Sequence, residues 1–320
     1  MAGRGCALSG LLCYGNMVMD ILVRPVDRIA WNTTTWVEAV EQHMGGNGAN
    51  TSYAAAVCGA AVRLVSVAGR DAFGDRLLGE LAGVGVDVAH VRRTDRPTAA
   101  TVALVNSAGD RLFLHRIGEG AEAFDPPESD SAICDGMSRF HLANLFSLPG
   151  LRRRGSEILR GARGAGLATS VDTGWDSQGR WIEDLAPCLP WTDLLFVNQD
   201  EAQRLGGAPD IRDAARQLRE AGARTVVVKL GAQGCAVFGA EAELRSPAFD
   251  VAVVDTTGAG DCFAGAFLAT LERGSGLAEA ARFGNAAAAL SVQRLGATAG
   301  LRSWDETRAW METAQVRSEG

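Results

Sequence analysis

The chain has 320 residues, of which 47% are apolar and 22% are charged, and its net charge is −7. This composition is typical of a folded globular protein and excludes a long disordered region. The negative charge gives no general attraction to nucleic-acid phosphates or anionic lipid, and no segment has the ~18 uninterrupted apolar residues that a bilayer crossing requires. We therefore predict no nucleic-acid partner and no membrane partner.

The seven cysteines are widely separated in the sequence, with no C-x-x-C pair and no neighbouring histidine cluster. Such spacing is typical of small buried residues, and not of zinc ligands or a disulfide framework. The stretch CALSGLLCYGNMVM (6–19) resembles a short signal sequence, but it lacks a small-residue cleavage site, so we interpret it as a buried strand. We expect a cytoplasmic protein with free thiols.

Short apolar, β-rich runs alternate with longer helical patterns along most of the chain. This alternation is typical of parallel strands joined by crossover helices, so we predict an α/β fold with helices on both faces of a parallel sheet. The predicted strands are LSGLLCYG (8–15), VRLVSVAG (62–69), RFHLANLF (139–146), LATSVDTG (167–174), LLFVNQ (194–199), TVVVKLG (225–231) and CAVFG (235–239). The predicted helices are DRLLGELAGVG (75–85), GSEILRGARGAG (155–166), IRDAARQLREAGA (211–223), the segment after Gly260, and LAEAARFGNAAAALSVQRLG (277–296). The basic run LRRRG (151–155) is interpreted as a solvated helix start.

Two stretches interrupt this alternation, because residues 20–43 and 97–124 contain strand-like runs with no helix between them. The second stretch predicts a hairpin with NSAGD (106–110) as its turn. We assign residues 1–20, 44–96 and 125–320 to a main α/β domain, and residues 21–43 and 97–124 to a small β-rich lid. Such a lid can close over a ligand, and its exposed β edge can pair with a second copy, so a homodimer through the lid is a further hypothesis.

The most informative segment is DTTGAGDCFAGAFLATL (255–271), in which a glycine loop precedes an acid and an apolar run. Gly258, Ala259 and Gly260 allow the backbone to approach a ligand closely, and a helix starting at Asp261 would direct its unpaired N–H groups into the loop. Such a helix start binds anions, most commonly phosphate. Asp261 is either a helix cap or, because the helix is apolar on all faces, a buried base that accepts a proton from an attacking hydroxyl. The loop is neither a P-loop, which requires Gly-Lys-Ser/Thr, nor a Rossmann fingerprint, which requires a third glycine.

A second glycine-rich segment is MGGNGANTSYAAAVCGA (44–60), in which paired glycines precede polar residues and an alanine-rich helix. Gly45 and Gly46 lie where the first lid segment rejoins the main domain, which predicts a hinge. Asn50 is expected in the first helical turn, either as a cap or as a hydrogen-bonding partner of a hydroxylated ligand. Asp20 is expected at the end of the first strand, where its carboxylate would either bind vicinal hydroxyls or be a surface charge.

These two glycine segments resemble the two signature segments of the ribokinase-like family of carbohydrate kinases, also called the phosphofructokinase B family. VNQDEA (197–202) resembles the N-x-x-E element of that family, and VVVKLGAQG (226–234) resembles its nucleotide-side strand and turn. The resemblance covers nearly the whole chain and implies a parallel sheet flanked by helices, with a small β lid. It also implies that ATP, bound with Mg²⁺, donates its γ-phosphoryl group to a hydroxymethyl group of a free sugar.

The resemblance also implies roles for the matching positions. It implies that Asp261 is the catalytic base and that Gly258, Ala259 and Gly260 form the anion hole. It also implies that four residues bind the acceptor: Asp20, Gly45, Gly46 and Asn50. Asn198 and Glu201 would organise Mg²⁺ and its waters. The residues implied on the nucleotide side are Lys229, Gly231 and Asn285. Many relatives hold a potassium ion between the segment around Asp255 and Thr257 and the one around Gly296, so Asp255 is a candidate cation ligand.

Two positions differ from ribokinases proper. Where those proteins usually have a lysine and an asparagine, this chain has Asn47 and Val18, respectively. These differences leave the sugar open, and the alternative is a nucleoside kinase on the same scaffold, in which Trp31 and Trp36 could stack on a base. A non-catalytic binding protein is a third hypothesis. Two charged lid residues are either substrate contacts or exposed charges: His115 and Arg116.

Overall fold

A computed structural model describes residues 10–124, 131–240 and 243–317. Cys6 and the first two residues of the predicted strand 8–15 lie outside the described residues. The strands are β1 (Gly10–Tyr14), β2 (Val18–Arg24), β3 (Ala39–Gly45), β4 (Ala61–Gly69), β5 (Val86–Asp87), β6 (Val91–Thr94), β7 (Ala100–Val105), β8 (Arg111–Arg116), β9 (Arg139–Ala143), β10 (Ala168–Asp172), β11 (Leu194–Asn198), β12 (Thr225–Lys229), β13 (Cys235–Phe238) and β14 (Glu243–Ser246). The helices are α1 (Asn47–Val57), α2 (Ala72–Gly83), α3 (Pro149–Gly164), α4 (Ile182–Leu185), α5 (Gln199–Gly206), α6 (Ile211–Glu220), α7 (Ala259–Glu272), α8 (Leu277–Ser291) and α9 (Trp304–Thr313).

The main sheet has the strand order β14-β13-β12-β11-β10-β9-β1-β4-β5, and β6 pairs with β4. All neighbouring strands from β12 to β5 are parallel, which confirms the predicted parallel α/β sheet for this region. At the other edge β13 and β14 are antiparallel. The short connection 230–234 explains this edge, because a parallel crossover needs about a dozen residues or more. All seven predicted strands are present.

The core lies on both faces of the main sheet, because successive side chains of a strand point in opposite directions. Leu11 and Cys13 pack in one apolar cluster with residues of α1, α2, α7 and α8. Leu12 and Tyr14 pack in a second cluster with residues of α3, α5 and α6. Helix α7 is buried along residues 261–270, as its apolar sequence predicts. The start of α7 is therefore held inside the protein.

The small sheet has the strand order β3-β2-β7-β8. β7 and β8 form the predicted hairpin around residues 106–110, and β2 and β3 form an antiparallel pair. β2 joins the two pairs through parallel bonds to β7, so the two sequence insertions build one layer, as predicted. The small sheet begins at Val18 and includes Gly45. The assignment of residue ranges to a main domain and a lid stays a prediction.

One expectation from the sequence was wrong, and another held only in part. Asp20 does not end the first strand but is the third residue of β2 in the small sheet, because the chain leaves the main sheet after Tyr14. Only residues 15–17 separate the two strands, so the sequence does not distinguish two strands from one longer strand.

The basic run 151–155 lies near the start of α3, and Arg153 and Arg154 are exposed, as predicted. The side chain of Arg152 is instead buried, and it forms ion pairs with Asp176 at 2.7 Å and Asp184 at 2.6 Å.

The predictions about cysteines and about membrane-spanning segments can be compared with the described residues. Six cysteines there are free thiols, and five of them are buried, as expected for residues that act as small apolar side chains. In the same part of the chain, every helix falls short of the length and apolarity needed to cross a membrane.

Candidate active site

Helix α7 begins at Ala259, two residues before the predicted start at Asp261, so Asp261 is its third residue. Gly258 precedes the helix with a positive φ of 69°, which a residue without a Cβ adopts readily. The N–H groups of Gly260 and Asp261 donate to no atom of the described residues. These unpaired donors and the positive end of the helix dipole make the helix start suitable for an anion.

The Asp261 carboxylate is held by two amides of α1. Asn47 Nδ2 donates to Oδ1 at 2.7 Å, and Asn50 Nδ2 donates to Oδ2 at 2.9 Å. Burial raises the pKa of Asp261 to about 6, the negative charge of Asp172 also raises it, and the two amide donors oppose these effects. Asp261 makes no capping bond to its own helix. Its geometry therefore matches a base that is ionised at neutral pH, and not a helix cap.

A chain of asparagines fixes the amide that contacts the carboxylate. Asn144 Nδ2 donates to Asn47 Oδ1 at 2.6 Å, which leaves Asn47 Nδ2 to face Asp261. The backbone N–H of Asn47 donates to Asn16 Oδ1 at 3.0 Å. Asn50 does not cap α1 either, because Gly46 precedes that helix without a capping side chain. Both α1 asparagines are therefore used to position and stabilise the ionised carboxylate.

The paired glycines lie against Asp20. A Cβ at Gly45 would overlap the Asp20 carboxylate, and Gly46 has a φ of 90° at the start of α1. Burial raises the pKa of Asp20 to about 6, while a hydrogen bond from Thr101 and the nearby His43 lower it. The carboxylate thus lies in a confined place where only a glycine neighbour fits. Asp20, Gly45 and Gly46 are together in the structure.

A row of polar side chains crosses one face of the small sheet, alongside apolar residues of the same strands. His43, Asp20, Thr101 and His115 are neighbours across four successive strands, and Thr101 Oγ1 lies 3.1 Å from His115 Nδ1. Side chains that are direct neighbours across strands share one face of a sheet. Arg111 is four residues from His115 on β8, so it shares this face. The face that carries Asp20 is therefore lined with hydrogen-bonding groups.

Arg111 connects the small sheet to the loop before α7. Its guanidinium donates to Asp255 Oδ1 and to Thr257 Oγ1, both at 3.0 Å. Asp255 Oδ1 also accepts from the N–H and hydroxyl of Thr257, and Oδ2 accepts from the N–H of Gly296. Burial would raise the pKa of Asp255, but these donors hold it below its usual value. Because donors surround both oxygens, this carboxylate does not fit a monovalent cation here.

The predicted nucleotide-side residues line a cavity of about 280 Å³ next to the glycine loop. Lys229, Gly231 and Asn285 contribute to its wall, together with Ala259, Gly260 and apolar side chains of α7 and α8. A Cβ at Gly260 would lie 3.2 Å from Lys229 Nζ, so the ammonium lies beside the anion loop. The apolar wall suits a flat base and the charged end suits phosphate. Asn285 Nδ2 donates to the Ser246 and Pro247 carbonyls, so it also holds the end of β14.

Asn198 and Glu201 form a reciprocal cap at the start of α5. Asn198 Oδ1 accepts from the Glu201 N–H, and Glu201 Oε2 accepts from the Asn198 N–H, both at 2.8 Å. Burial raises the pKa of Glu201, the nearby Lys229 lowers it, and Asp172 raises it further. Carboxylate and amide oxygens are the donors that Mg²⁺ prefers, usually with several retained waters. The donor set fits such an ion, although both side chains are already used in the cap.

Sequence reasoning missed several residues of this site. Asp172 ends β10 and accepts from Lys229 Nζ at 2.5 Å, close to both Glu201 and Asp261. Its position at the carboxyl end of a predicted parallel strand was a usable signal. Asn144 follows the carboxyl end of β9 and so had the same signal, whereas only the folded chain brings Arg111 to the centre.

Transfer of a phosphoryl group to an alcohol needs a place for the phosphate and a base for the hydroxyl proton. The start of α7 places unpaired N–H groups and a buried carboxylate within one turn, an arrangement that suits a phosphotransferase with an alcohol group as acceptor. Its sequence agrees, since residues 9–304 match the profile described as pfkB family carbohydrate kinase. The chain belongs to the pfkB family of carbohydrate kinases, and this confirms the resemblance inferred from the two glycine segments.

Individual relatives are similar over most of the chain. The 2-dehydro-3-deoxygluconokinase of Thermoproteus tenax is 31% identical over 80% of this chain and 82% of its own. The aminoimidazole riboside kinase of Salmonella typhimurium is 31% identical over 84% and 88%. Among solved structures, Arabidopsis thaliana ribokinase complexed with ribose and ATP superposes with a TM-score of 0.85 at 27% identity, covering 95% of this chain and 99% of that one. The ribokinase-like fold with a small second sheet is confirmed.

Proposed function

We propose that Asp261 is the catalytic base of an ATP-dependent sugar kinase and that Gly258, Ala259 and Gly260 form its anion hole. The observation that carries this proposal is the buried Asp261 carboxylate. It lies in the same turn of α7 as the unpaired N–H groups and is held in orientation by Asn47 and Asn50. A cap or a surface acid would not need two buried amide donors.

The reaction is an in-line transfer. The acceptor oxygen forms a bond to the γ-phosphorus, the bond from that phosphorus to the β,γ-bridging oxygen breaks, and ADP leaves. Asp261 accepts the hydroxyl proton, and the N–H groups of Gly260 and Asp261 stabilise negative charge on the phosphoryl oxygens. Mg²⁺, when bound, would offset charge on the phosphates. Closure of the small sheet would exclude water that would otherwise hydrolyse ATP.

We assign the remaining site residues to two sides of Asp261. Asp20, Gly45, Gly46 and Asn50 would bind the acceptor, because they cluster where the small sheet meets α1. The nucleotide side would contain Lys229, Gly231 and Asn285, with Asn198 and Glu201 organising Mg²⁺ and its waters. All of these residues fall within the proposed main domain, 1–20, 44–96 and 125–320, and the acceptor side adjoins the proposed lid, 21–43 and 97–124.

A sugar is the preferred acceptor and a nucleoside is the alternative. The relatives include both kinds, a gluconate-derived sugar kinase and a riboside kinase. Trp31 and Trp36 were the side chains expected to stack on a nucleobase. They are 91% and 89% exposed and lie in the loop at the opposite end of the β2–β3 hairpin from Gly45. This position gives the nucleoside alternative no support from the two tryptophans.

We propose that Arg111, and not potassium, balances the charge of Asp255. The side chain of Asp255 is 2% exposed and therefore needs a nearby positive charge, which the guanidinium supplies at 3.0 Å. A cation at this carboxylate would require Arg111 to move away. Activity without added potassium is the expected behaviour.

A homodimer through the small sheet is also proposed. The face opposite Asp20 carries apolar side chains, and Val40, Leu112 and Leu114 are 63%, 45% and 57% exposed. A second copy would cover this surface with an equivalent one under twofold symmetry. Sedimentation of the wild-type protein and of Leu114→Asp tests this, because a monomeric wild type contradicts the dimer.

The decisive experiment measures ADP release from Mg-ATP across free pentoses, hexoses, sugar acids and nucleosides, with Asp261→Asn as the inactive control. Turnover of a sugar that disappears in the variant supports both the reaction and the base. Turnover of nucleosides alone would move the protein to the alternative class. Unchanged turnover in Asp261→Asn would reject Asp261 as the base.

A further inference from the structure

A second, smaller cavity of about 120 Å³ lies at the base of the small sheet. Its polar wall contains Asn16, Ser66, His115, Glu119 and Ser147, and the rest is formed mainly by apolar side chains and backbone. Asn16 connects this cavity to the reaction centre, because it accepts from the N–H of Asn47, and Asn47 donates to the proposed base. The cavity therefore adjoins the place where an acceptor hydroxyl must lie.

Glu119 is the unusual member of this wall. It is only 3% exposed, and its Oε2 atom is buried with no hydrogen-bond partner. The N–H of Glu119 donates to the Pro97 carbonyl at 3.2 Å, so the backbone of the residue is held in place. A buried carboxylate oxygen without a donor is costly, and sites of this kind commonly receive their donor from a ligand. A hydroxyl group of the acceptor would satisfy it.

The charges around this cavity are mainly negative. Burial raises the pKa of Glu119 to about 7, Asp71 raises it further, and Arg116 lowers it. The Arg116 guanidinium donates to the Thr98 carbonyl and is not part of the cavity wall. His115 is the one wall residue that could become cationic, and burial lowers its pKa. At pH 8 the wall therefore offers a carboxylate and no positive side chain to an acceptor.

We propose that Glu119 is a specificity-determining residue that accepts a hydrogen bond from an uncharged, polyhydroxylated acceptor and disfavours acceptors carrying a carboxylate or phosphate. This inference rests on the proposed kinase function and narrows its substrate class to neutral sugars. It separates the chain from its relative that acts on 2-dehydro-3-deoxygluconate, which is an acid. An anionic acceptor in this cavity would meet a like charge, and no positively charged side chain of the wall would contact it.

The test compares matched acceptor pairs that differ only in charge, such as an aldose and the aldonate of the same chain length, at pH 8. The wild type is expected to favour the neutral member by at least tenfold in kcat/KM. Glu119→Gln keeps the shape of the side chain and removes its charge, so this preference should fall at least tenfold. A wild-type preference for the aldonate, or an unchanged preference in Glu119→Gln, would overturn the proposal.

Calorimetric titration of the same pairs into the wild type gives a second measurement that does not need turnover. Tighter binding of the neutral member supports charge selection even if no ADP is released, and in that case the kinase proposal alone fails. Tighter binding of the aldonate rejects the role of Glu119 whether or not ADP is released. Gln178→Glu, a change outside this cavity, serves as the control and should leave the selectivity unaltered.

Discussion

Replacement of Asp261 by asparagine should abolish turnover and, at high pH, should not destabilise the protein. Loss of a general base typically lowers the rate by about 10² to 10⁴, or roughly 3 to 5 kcal/mol of barrier. ATP binding should persist, because the N–H groups of the loop and the cavity beside Lys229 remain. Single-turnover ADP formation and calorimetric ATP titration measure the two properties separately.

The stability effect follows from the raised pKa of Asp261. A shift from 3.8 to about 6 corresponds to about 3 kcal/mol, by which the folded state favours the protonated form. The folded protein therefore binds more protons than the unfolded chain between these values, so stability falls as pH rises through this window. Above pH 6 the full cost of the buried charge is present. Asp261→Asn removes that cost at pH 8, whereas at pH 5 only about half of the cost is present to be removed.

One hydrogen bond opposes this gain. Asp261 accepts from two amides, whereas an asparagine offers one acceptor and would place its own NH₂ against the second donor. That mismatch costs about 1 to 3 kcal/mol at any pH, so the net change at pH 8 lies between about zero and 2 kcal/mol of stabilisation. The Tm of the variant minus that of the wild type should therefore be more positive at pH 8 than at pH 5.

Scanning calorimetry at the two pH values measures this difference. Asp210→Asn is the matched control, because Asp210 caps α6 by accepting from two backbone N–H groups and asparagine caps equally well. A Tm difference for Asp261→Asn that does not depend on pH would refute the argument from the buried charge. Turnover above a tenth of the wild-type rate would refute the role as base.

Three further outcomes are expected. Asn47→Ala removes one donor from the base, so the acid limb of the pH–rate profile should move to higher pH; an unmoved limb would show that the base titrates independently of this amide. Arg111→Gln removes the positive charge beside Asp255, so the Tm should fall. Added KCl should restore part of the lost activity, whereas tetramethylammonium chloride should not. A wild-type enzyme that already requires KCl would contradict this prediction. Gly45→Ala would push a methyl group into the Asp20 carboxylate, so kcat/KM for the sugar should fall about tenfold while KM for ATP stays unchanged. An equal loss for both substrates would point instead to general misfolding.

Much of the fold could be predicted because its elements are periodic and short-range. The seven strands, the hairpin around residues 106–110 and the buried α7 all leave local patterns of apolar residues. The glycine loop and Asp261 were also predictable, since an acid after small residues and before an apolar helix has few structural explanations.

The rest of the site depends on long-range contacts that leave no local pattern. Asn144 reaches Asn47 across 97 residues, and Arg111 reaches Asp255 across 144. The change of sheet before Asp20 was missed because only residues 15–17 separate β1 from β2. Glu119 follows β8, and only the packed structure shows that its carboxylate is enclosed.

Helix α7 is enclosed by the core for ten consecutive residues, from Asp261 to Thr270. Its hydrogen-bonded amides, from Cys262 onwards, should therefore exchange with solvent only when the whole protein unfolds, whereas those of β8, exposed along its length, should exchange through local opening. The proposed chemistry and the proposed recognition would therefore lie in parts with very different tolerance to mutation. Under that proposal, substitutions in the small sheet can change which acceptor is admitted while α7 preserves phosphoryl transfer, which gives one scaffold a route to many substrates over evolutionary time.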